Sequence, residues 1–346
     1  MDSSIVENKP YPPNFIHRLY DLLDRLPLPT WLTLLLLFPL IGIVQHLVAY
    51  NRGFLAPGEF NFDLATAGYW LIGGPVLFLF TLKGSRQAWE DFRPLISLDD
   101  QQYARLQYEY FTIPKWTGNV FLIIGAVGGA MNGFADMAVA PPVDYAFAEL
   151  RISIWAIGGA TLFLVIYYVF RQLRIMRKLY AIADKVDIFN QQPMYGFPKY
   201  TSTLAIIFFI YNFFAPLILD PTAFASEVSY VTTLGFAPVA LLMFYLPLGG
   251  MHNRLVREKE ALQAEVGDRI KSILREIHRA ALDRKDFEHT GAMISVHTVL
   301  LKEKEAIDSL NTWPRRPGTF RGLLSALLLP VVLSILRDVI TGWIGL

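Results

Sequence analysis

Residues 320–346 read FRGLLSALLLPVVLSILRDVITGWIGL, an apolar stretch that follows a long charged one. A bilayer's hydrocarbon core takes about 20 mostly apolar residues in helix, and this stretch is long enough. A tail left in water has no reason to turn apolar again. The chain is therefore expected to leave a membrane, fold outside it and return. Six earlier windows meet the same requirement: Trp31–Tyr50, Leu64–Leu82, Trp116–Met137, Ile152–Phe170, Thr201–Leu219 and Val228–Gly249. With Gly322–Ile344 as the seventh, the sequence predicts an all-α, polytopic transmembrane helix bundle.

Lys and Arg bias in short connections sets orientation. Lys83, Arg86, Arg93, Arg105 and Lys115 follow the second span, and Arg171, Arg174, Arg177, Lys178, Lys185 and Lys199 follow the fourth. Arg254, Arg257 and Lys259 follow the sixth, whereas the alternate loops carry only Arg52 and Arg151. The N-terminus is thus expected inside and the C-terminus outside, in the plasma (inner) membrane. Trp31, Tyr50, Trp70, Trp116, Tyr200, Tyr230 and Trp343 fall near the expected interfaces, where amphipathic rings prefer to sit. The domain reading is a cytoplasmic N-terminal segment (1–30), a six-span bundle (31–250), a cytoplasmic helical module with a hinge (251–318) and a seventh membrane helix (319–346).

Of the 346 residues 53% are hydrophobic, more than a soluble chain usually carries, while 31 bases against 30 acids leave a net charge of +1. No basic tract with interleaved aromatics appears, so nucleic acid is not an expected partner. The absence of cysteine excludes disulfides, thiolate metal sites and thiol catalysis. Residues 1–29 lack the apolar core and cleavage site of a signal peptide. No phosphate loop, nucleophile elbow, zinc motif or dinucleotide fingerprint occurs, so no catalytic residue, cofactor or enzyme activity is expected. His278, His289 and His297 lie near Glu276, Asp286 and Glu288, but their spacing favours solvated faces over a metal site.

Three charged segments carry helical pattern. Ser97-Leu98-Asp99-Asp100 caps a run with Tyr103, Leu106 and Tyr110, which Pro114 ends. Arg171–Asn190 continues the fourth span, with Leu173, Met176, Tyr180 and Ala183 on one face. In the largest segment, 252–311, a seam of Leu255, Leu262, Val266, Ile270, Ile273 and Ile277 precedes a break at 283–291. A second helix then carries Ile294, Val299, Leu300, Ile307 and Leu310. Two such helices make an antiparallel hairpin or an intermolecular coiled coil. Trp313, Pro314, Arg315, Arg316, Pro317 and Gly318 then form a hinge that no helix can cross.

That hinge (Trp313-Pro-Arg-Arg-Pro-Gly-Thr-Phe-Arg-Gly322), with Asp187-Ile188-Phe189, Pro193–Phe197 and the exit from Pro247 to Arg254, resembles a group of prokaryotic multi-pass membrane proteins of unassigned activity. The resemblance covers most of the chain and implies no ligand or site. The layout is also similar to that of insect chemoreceptor channels, though that family's motif residues are missing. This likeness implies seven spans, an inside N-terminus, a cytoplasmic helical anchor between spans six and seven, and a pore built by the last helix.

Polar groups at membrane depth are costly and tend to be functional. His46, Asn132, Asp136 and Asn212 are the candidates, each weighed against plain solvation or helix–helix hydrogen bonding. Gly125, Gly129 and Gly133 space small residues every fourth position, a pattern that lets helices approach. In the last span Ser334, Asp338 and Thr341 form one polar stripe beside Arg337, with Pro330 midway. Such a stripe lines a pore when subunits assemble about an axis, or else its charges reach the outer headgroups. Two functions follow as expectations. One is an oligomeric ion channel or receptor-channel with the last helix as pore wall. The other is a sensor or scaffold that relays through 252–311 to a cytoplasmic partner. The partners expected are the lipid bilayer and further copies of the chain; a transporter would need a second copy of the Gly73-Gly74-Pro75 break.

Overall fold

The computed structural model describes residues 9–139, 148–219, 227–283, 287–313 and the positions 322, 325 and 328. Among them helix is the regular secondary structure, apart from one isolated antiparallel bridge between Pro13 and Pro114. The helices are α1 (Phe15–Leu23), α2 (Thr30–Asn51), α3 (Phe62–Thr66), α4 (Gly68–Phe92), α5 (Asp100–Phe111), α6 (Lys115–Val139), α7 (Ala148–Ile182), α8 (Gly196–Leu219), α9 (Glu227–Asp283) and α10 (Phe287–Ser309).

Four helical stretches in this set are long and apolar enough to cross a membrane: Thr30–Asn51, Leu64–Leu95, Lys115–Ala135 and Ala148–Ile182. They coincide with the first four windows expected from hydropathy. The first and third have 28% and 22% of their apolar window buried, the second 56%, so α4 is central while α2 and α6 are peripheral. Leu35, Leu40, Ile43 and Leu47 on α2 and Ile123, Val127, Met131 and Phe134 on α6 face outward. Apolar bands of that extent are incompatible with water and suit acyl chains. The fifth and sixth windows lie within α8 and α9, most of whose side chains there are outside the described residues.

Close helix packing rests on the glycines. On α6, a Cβ at Gly125 would lie 2.4 Å from the Gly159 carbonyl oxygen, and one at Gly129 would lie 2.1 Å from that of Trp155. The four-residue spacing is therefore the seam with α7. Asp99 caps α5 by accepting from Gln102 N at 2.6 Å, as its sequence position implies. Tyr110 from that helix, Tyr168, Met176 and Tyr180 from α7, and Phe197 from α8 fill the core. The fourth span's continuation ends at Ile182, and the segment after it is irregular up to a short 3-10 turn at Gln192–Tyr195.

The N-terminal segment is part of the bundle. Asn14, fully buried, caps α1 by accepting from Ile16 N at 3.1 Å, while its amide donates to Asn119 Oδ1 at 2.9 Å. Its backbone bonds Ile113 O, and Lys115 N donates to Pro12 O at 3.0 Å. Tyr20 donates to the Pro75 carbonyl in α4. Ile16 and Tyr20 face the core, whereas Phe15, Leu19, Leu22 and Leu26 leave a second apolar stripe outward.

His17 ties this plug to the bundle by accepting from Ile113 N at 2.9 Å. Burial pushes its ring down from the ordinary 6.5 to about 4, against the pull of Asp21. Between those values the unfolded chain binds a proton that the folded chain does not. Stability should therefore fall as pH drops through this window, by about 2 kcal/mol at pH 5. Comparing unfolding midpoints at pH 7.5 and 5 should show a steeper loss for the wild type than for His17→Gln. Equal slopes would remove His17 as the cause.

α9 is one unbroken helix of 57 residues, about 85 Å long at 1.5 Å per residue. It passes through Gly249 and Gly250, where the sequence division at 250/251 would place an exit from the bundle. α10 packs back against it antiparallel, so the two form a hairpin within the chain. Lys259 Nζ donates to Asp308 O at 2.7 Å and Leu310 O at 3.0 Å, neutralising the C-terminal end of α10. Gln263 donates to Asp308 Oδ1 at 2.6 Å. Leu255 and Val266 on α9, with Leu300 and Ile307 on α10, are buried. At the base His252 stacks on Trp313, with centroids 4.1 Å apart and rings 13° from parallel, and donates to Thr312 O.

Candidate functional site

Two features stand out, a buried polar nest and an apolar cleft. The nest lies where α4, α5, α7 and α8 meet. Tyr200 donates to Gln172 Oε1 at 2.6 Å, and Tyr168 donates to Phe111 O at 3.2 Å. Thr81, Ser85 and Thr201 are fully buried nearby in the fold. Tyr110 Oη, Tyr180 Oη and Gln172 Nε2 are buried without a hydrogen-bond partner among the described residues. Phe197 packs against both phenols, 6.1 Å from Tyr110 and 5.8 Å from Tyr180. Burial raises the Tyr110 hydroxyl well above its ordinary value, so it stays a neutral donor.

Unpaired polar atoms in a core are costly, about 1–3 kcal/mol each, which sets this nest apart from an ordinary apolar core. The nest has no carboxylate, imidazole or thiol. α9 touches this region: the Cβ position of Gly250 is 3.7 Å from the Tyr180 ring, and Met251 and Leu255 are fully buried in the same core.

The cleft, about 540 Å³, lies among α2, α4 and α8. Leu34, Phe38, Ile72 and Val76 line its length, with Trp31 and Lys83 among its residues and Tyr69 and Tyr211 stacked 4.7 Å apart, only 5° from parallel. Gly73 makes room for that stack, since a Cβ there would lie 1.9 Å from Tyr211 Oη.

Of the residues singled out from sequence, the side chains of His46, Asn132 and Trp313 are described, and each belongs to a different element. His46 is buried at the end of α2, donating through Nδ1 to Gly42 O at 2.8 Å and accepting at Nε2 from Asn61 N at 3.1 Å. It stacks on Phe60, so its place is the turn between α2 and α3 and not a shared site. Asn132 is exposed on the outer side of α6. Asp136 and Asn212 belong to α6 and α8, with side chains outside the described residues. Ser334, Asp338, Thr341 and the hinge residues Pro314, Arg315, Arg316, Pro317 and Gly318 also lie outside them, while Trp313 holds the hairpin base. Among the described residues no group of three His, Cys, Asp or Glu is placed to hold a metal.

Sequence reasoning took Tyr200 as an interface aromatic and Tyr110 and Tyr180 as face positions of separate helices, and so did not bring the nest together. One signal was available: Tyr168, Gln172 and Tyr180 share a face at helical spacing. No protein-family profile, curated protein or solved structure matches this chain.

Proposed function

We propose that the chain is a non-enzymatic membrane sensor or scaffold in which α9 carries changes in the bundle to a partner at the tip of a cytoplasmic hairpin. The observation that carries this reading is the continuity of α9 from Glu227 to Asp283, through a segment packed on the polar nest. A helix without a break transmits tilt or rotation over its whole length, and an under-satisfied core offers two arrangements for a stimulus to bias. α10 leaves Ile294, Val296, Val299 and Leu301 exposed, an apolar surface suited to a partner.

A second reading, the oligomeric channel, is favoured by the His252–Trp313 stack, which returns the chain to the base of the hairpin before residues 319–346. There Ser334, Asp338 and Thr341 would line the pore. A photo-crosslinker at Val299 separates the two readings. The sensor gives an adduct whose mass is not a multiple of the 39.2 kDa chain. Adducts only at multiples of that mass, together with ion flux in vesicles that changes in Asp338→Asn, would replace it with the channel.

A further inference from the structure

We infer that the cleft among α2, α4 and α8 is a binding site for an anionic phospholipid of the surrounding bilayer, with one acyl chain in the cleft and the phosphate on Lys83. The assignment is independent of the relay, because it concerns the cleft and not the hairpin.

The shape comes from the helix pairing. Gly68 approaches Phe38 O and Gly42 approaches Ala65 O, so α2 and the α3–α4 segment run antiparallel. Trp31, near the start of α2, is thereby brought to the Lys83 end of α4, and the Tyr69–Tyr211 stack closes the other end. From Tyr69 to Lys83 the floor of the cleft extends about 21 Å along the helix. The stack is held on both sides: the Tyr69 hydroxyl donates to Tyr211 O, and the Tyr211 hydroxyl reaches Tyr69 O at 3.5 Å. Those phenols are spent on each other, which leaves the far end of the cleft suited to an apolar terminus.

The charge is at one end only. Among the described residues Lys83 is the one charged residue lining the cleft; it is exposed and has no carboxylate within ion-pair reach. Arg86, three positions on and so beside it on the helix surface, is exposed as well. An apolar trough ending in one or two cations complements an amphiphile with an anionic head. Trp31, Leu35 and Phe80 line the cleft while each is more than half exposed, so it opens sideways. α2 and α4 both belong to stretches able to cross a membrane, and the ligand that reaches such an opening is a bilayer lipid whose second chain stays outside.

The test is native mass spectrometry of the protein released from nanodiscs of equal phosphatidylglycerol and phosphatidylcholine. The wild type should retain one lipid, with phosphatidylglycerol preferred by about fivefold, the effect of one lysine near an anionic headgroup. Lys83→Gln should bring the ratio to parity while lipid is still retained. Val76→Phe, which fills the trough and leaves Lys83 in place, should lose the retained lipid of either kind. Equal retention of the two lipids by the wild type, or an unchanged preference in Lys83→Gln, overturns the assignment. Displacement of the lipid by equimolar oleate also overturns it, in favour of a free carboxylate.

Discussion

Gly129→Val should abolish a monodisperse, cooperatively unfolding protein, whereas Gly128→Val, one residue earlier, should leave it intact. The Gly129 Cβ position lies 2.1 Å from the Trp155 carbonyl oxygen and 3.1 Å from the Ala156 Cα. Both are backbone atoms of α7, so no side chain can turn aside, and the helices must separate. Separation costs more than the replaced atoms. α6 packs chiefly on α7, and only 22% of its apolar window is buried, so it has little else to hold it. Overpacking in a core typically costs about 1–3 kcal/mol, and a contact between two backbones belongs at the upper end or above it. That is a large share of a net stability of about 5–15 kcal/mol. Gly128 meets nothing within 4 Å, which makes it a control on the same turn. Size-exclusion profiles and thermal midpoints in nanodiscs decide the matter; matching midpoints for the two variants would show that the seam is not at Gly129.

Glu260→Pro should break the long helix and separate the hairpin while the membrane bundle stays folded. Glu260 is exposed, so the side chain itself is not the point. Proline removes its backbone donor and clashes with the preceding turn, at about 3 kcal/mol or more in a helix interior. It also disfavours the helical conformation at Lys259, the residue that caps α10 through Asp308 O and Leu310 O. Because the chain has no cysteine, Cys substitutions at the exposed Ser272 and Ser295 give a clean pair of spin-label sites across the hairpin. The parent should give a narrow distance distribution and the proline variant a broad one. If the relay operates, the crosslink at Val299 to a partner should weaken in the same variant. A distribution untouched by proline would mean that α9 is not the rigid element described above.

The parts of this fold legible in sequence are those set by local pattern. Hydropathy located the four membrane-length stretches, the Asp99 cap located α5, and the four-residue glycine spacing pointed to the α6–α7 seam. Of the seam from Leu255 to Ile277, Leu255 and Val266 are buried. What was not legible depends on residues far apart in the chain. The plug is held by Asn14 and His17 against Ile113 and Asn119, about a hundred positions away, and no periodicity encodes that. That α9 runs on through Gly249-Gly250 was not legible either: Met251 and Leu255 are buried on the core, and tertiary packing outweighs the weak helix preference of glycine. The partner of His46 was likewise not legible, because hydropathy does not record that a neighbouring turn supplies the Asn61 amide. The cleft was invisible for a simpler reason: its residues come from three helices, and each alone is an ordinary apolar position.

The stack of His252 on Trp313 closes a ring of sixty-odd residues whose two ends meet. Seen as architecture, α9 beyond its core contacts and α10 form a cassette, entered and left at one doorway. Chain segments with adjacent ends are the ones that tolerate insertion, excision and exchange. The hairpin can therefore lengthen, shorten or change its outer face without altering how the helices beneath it pack.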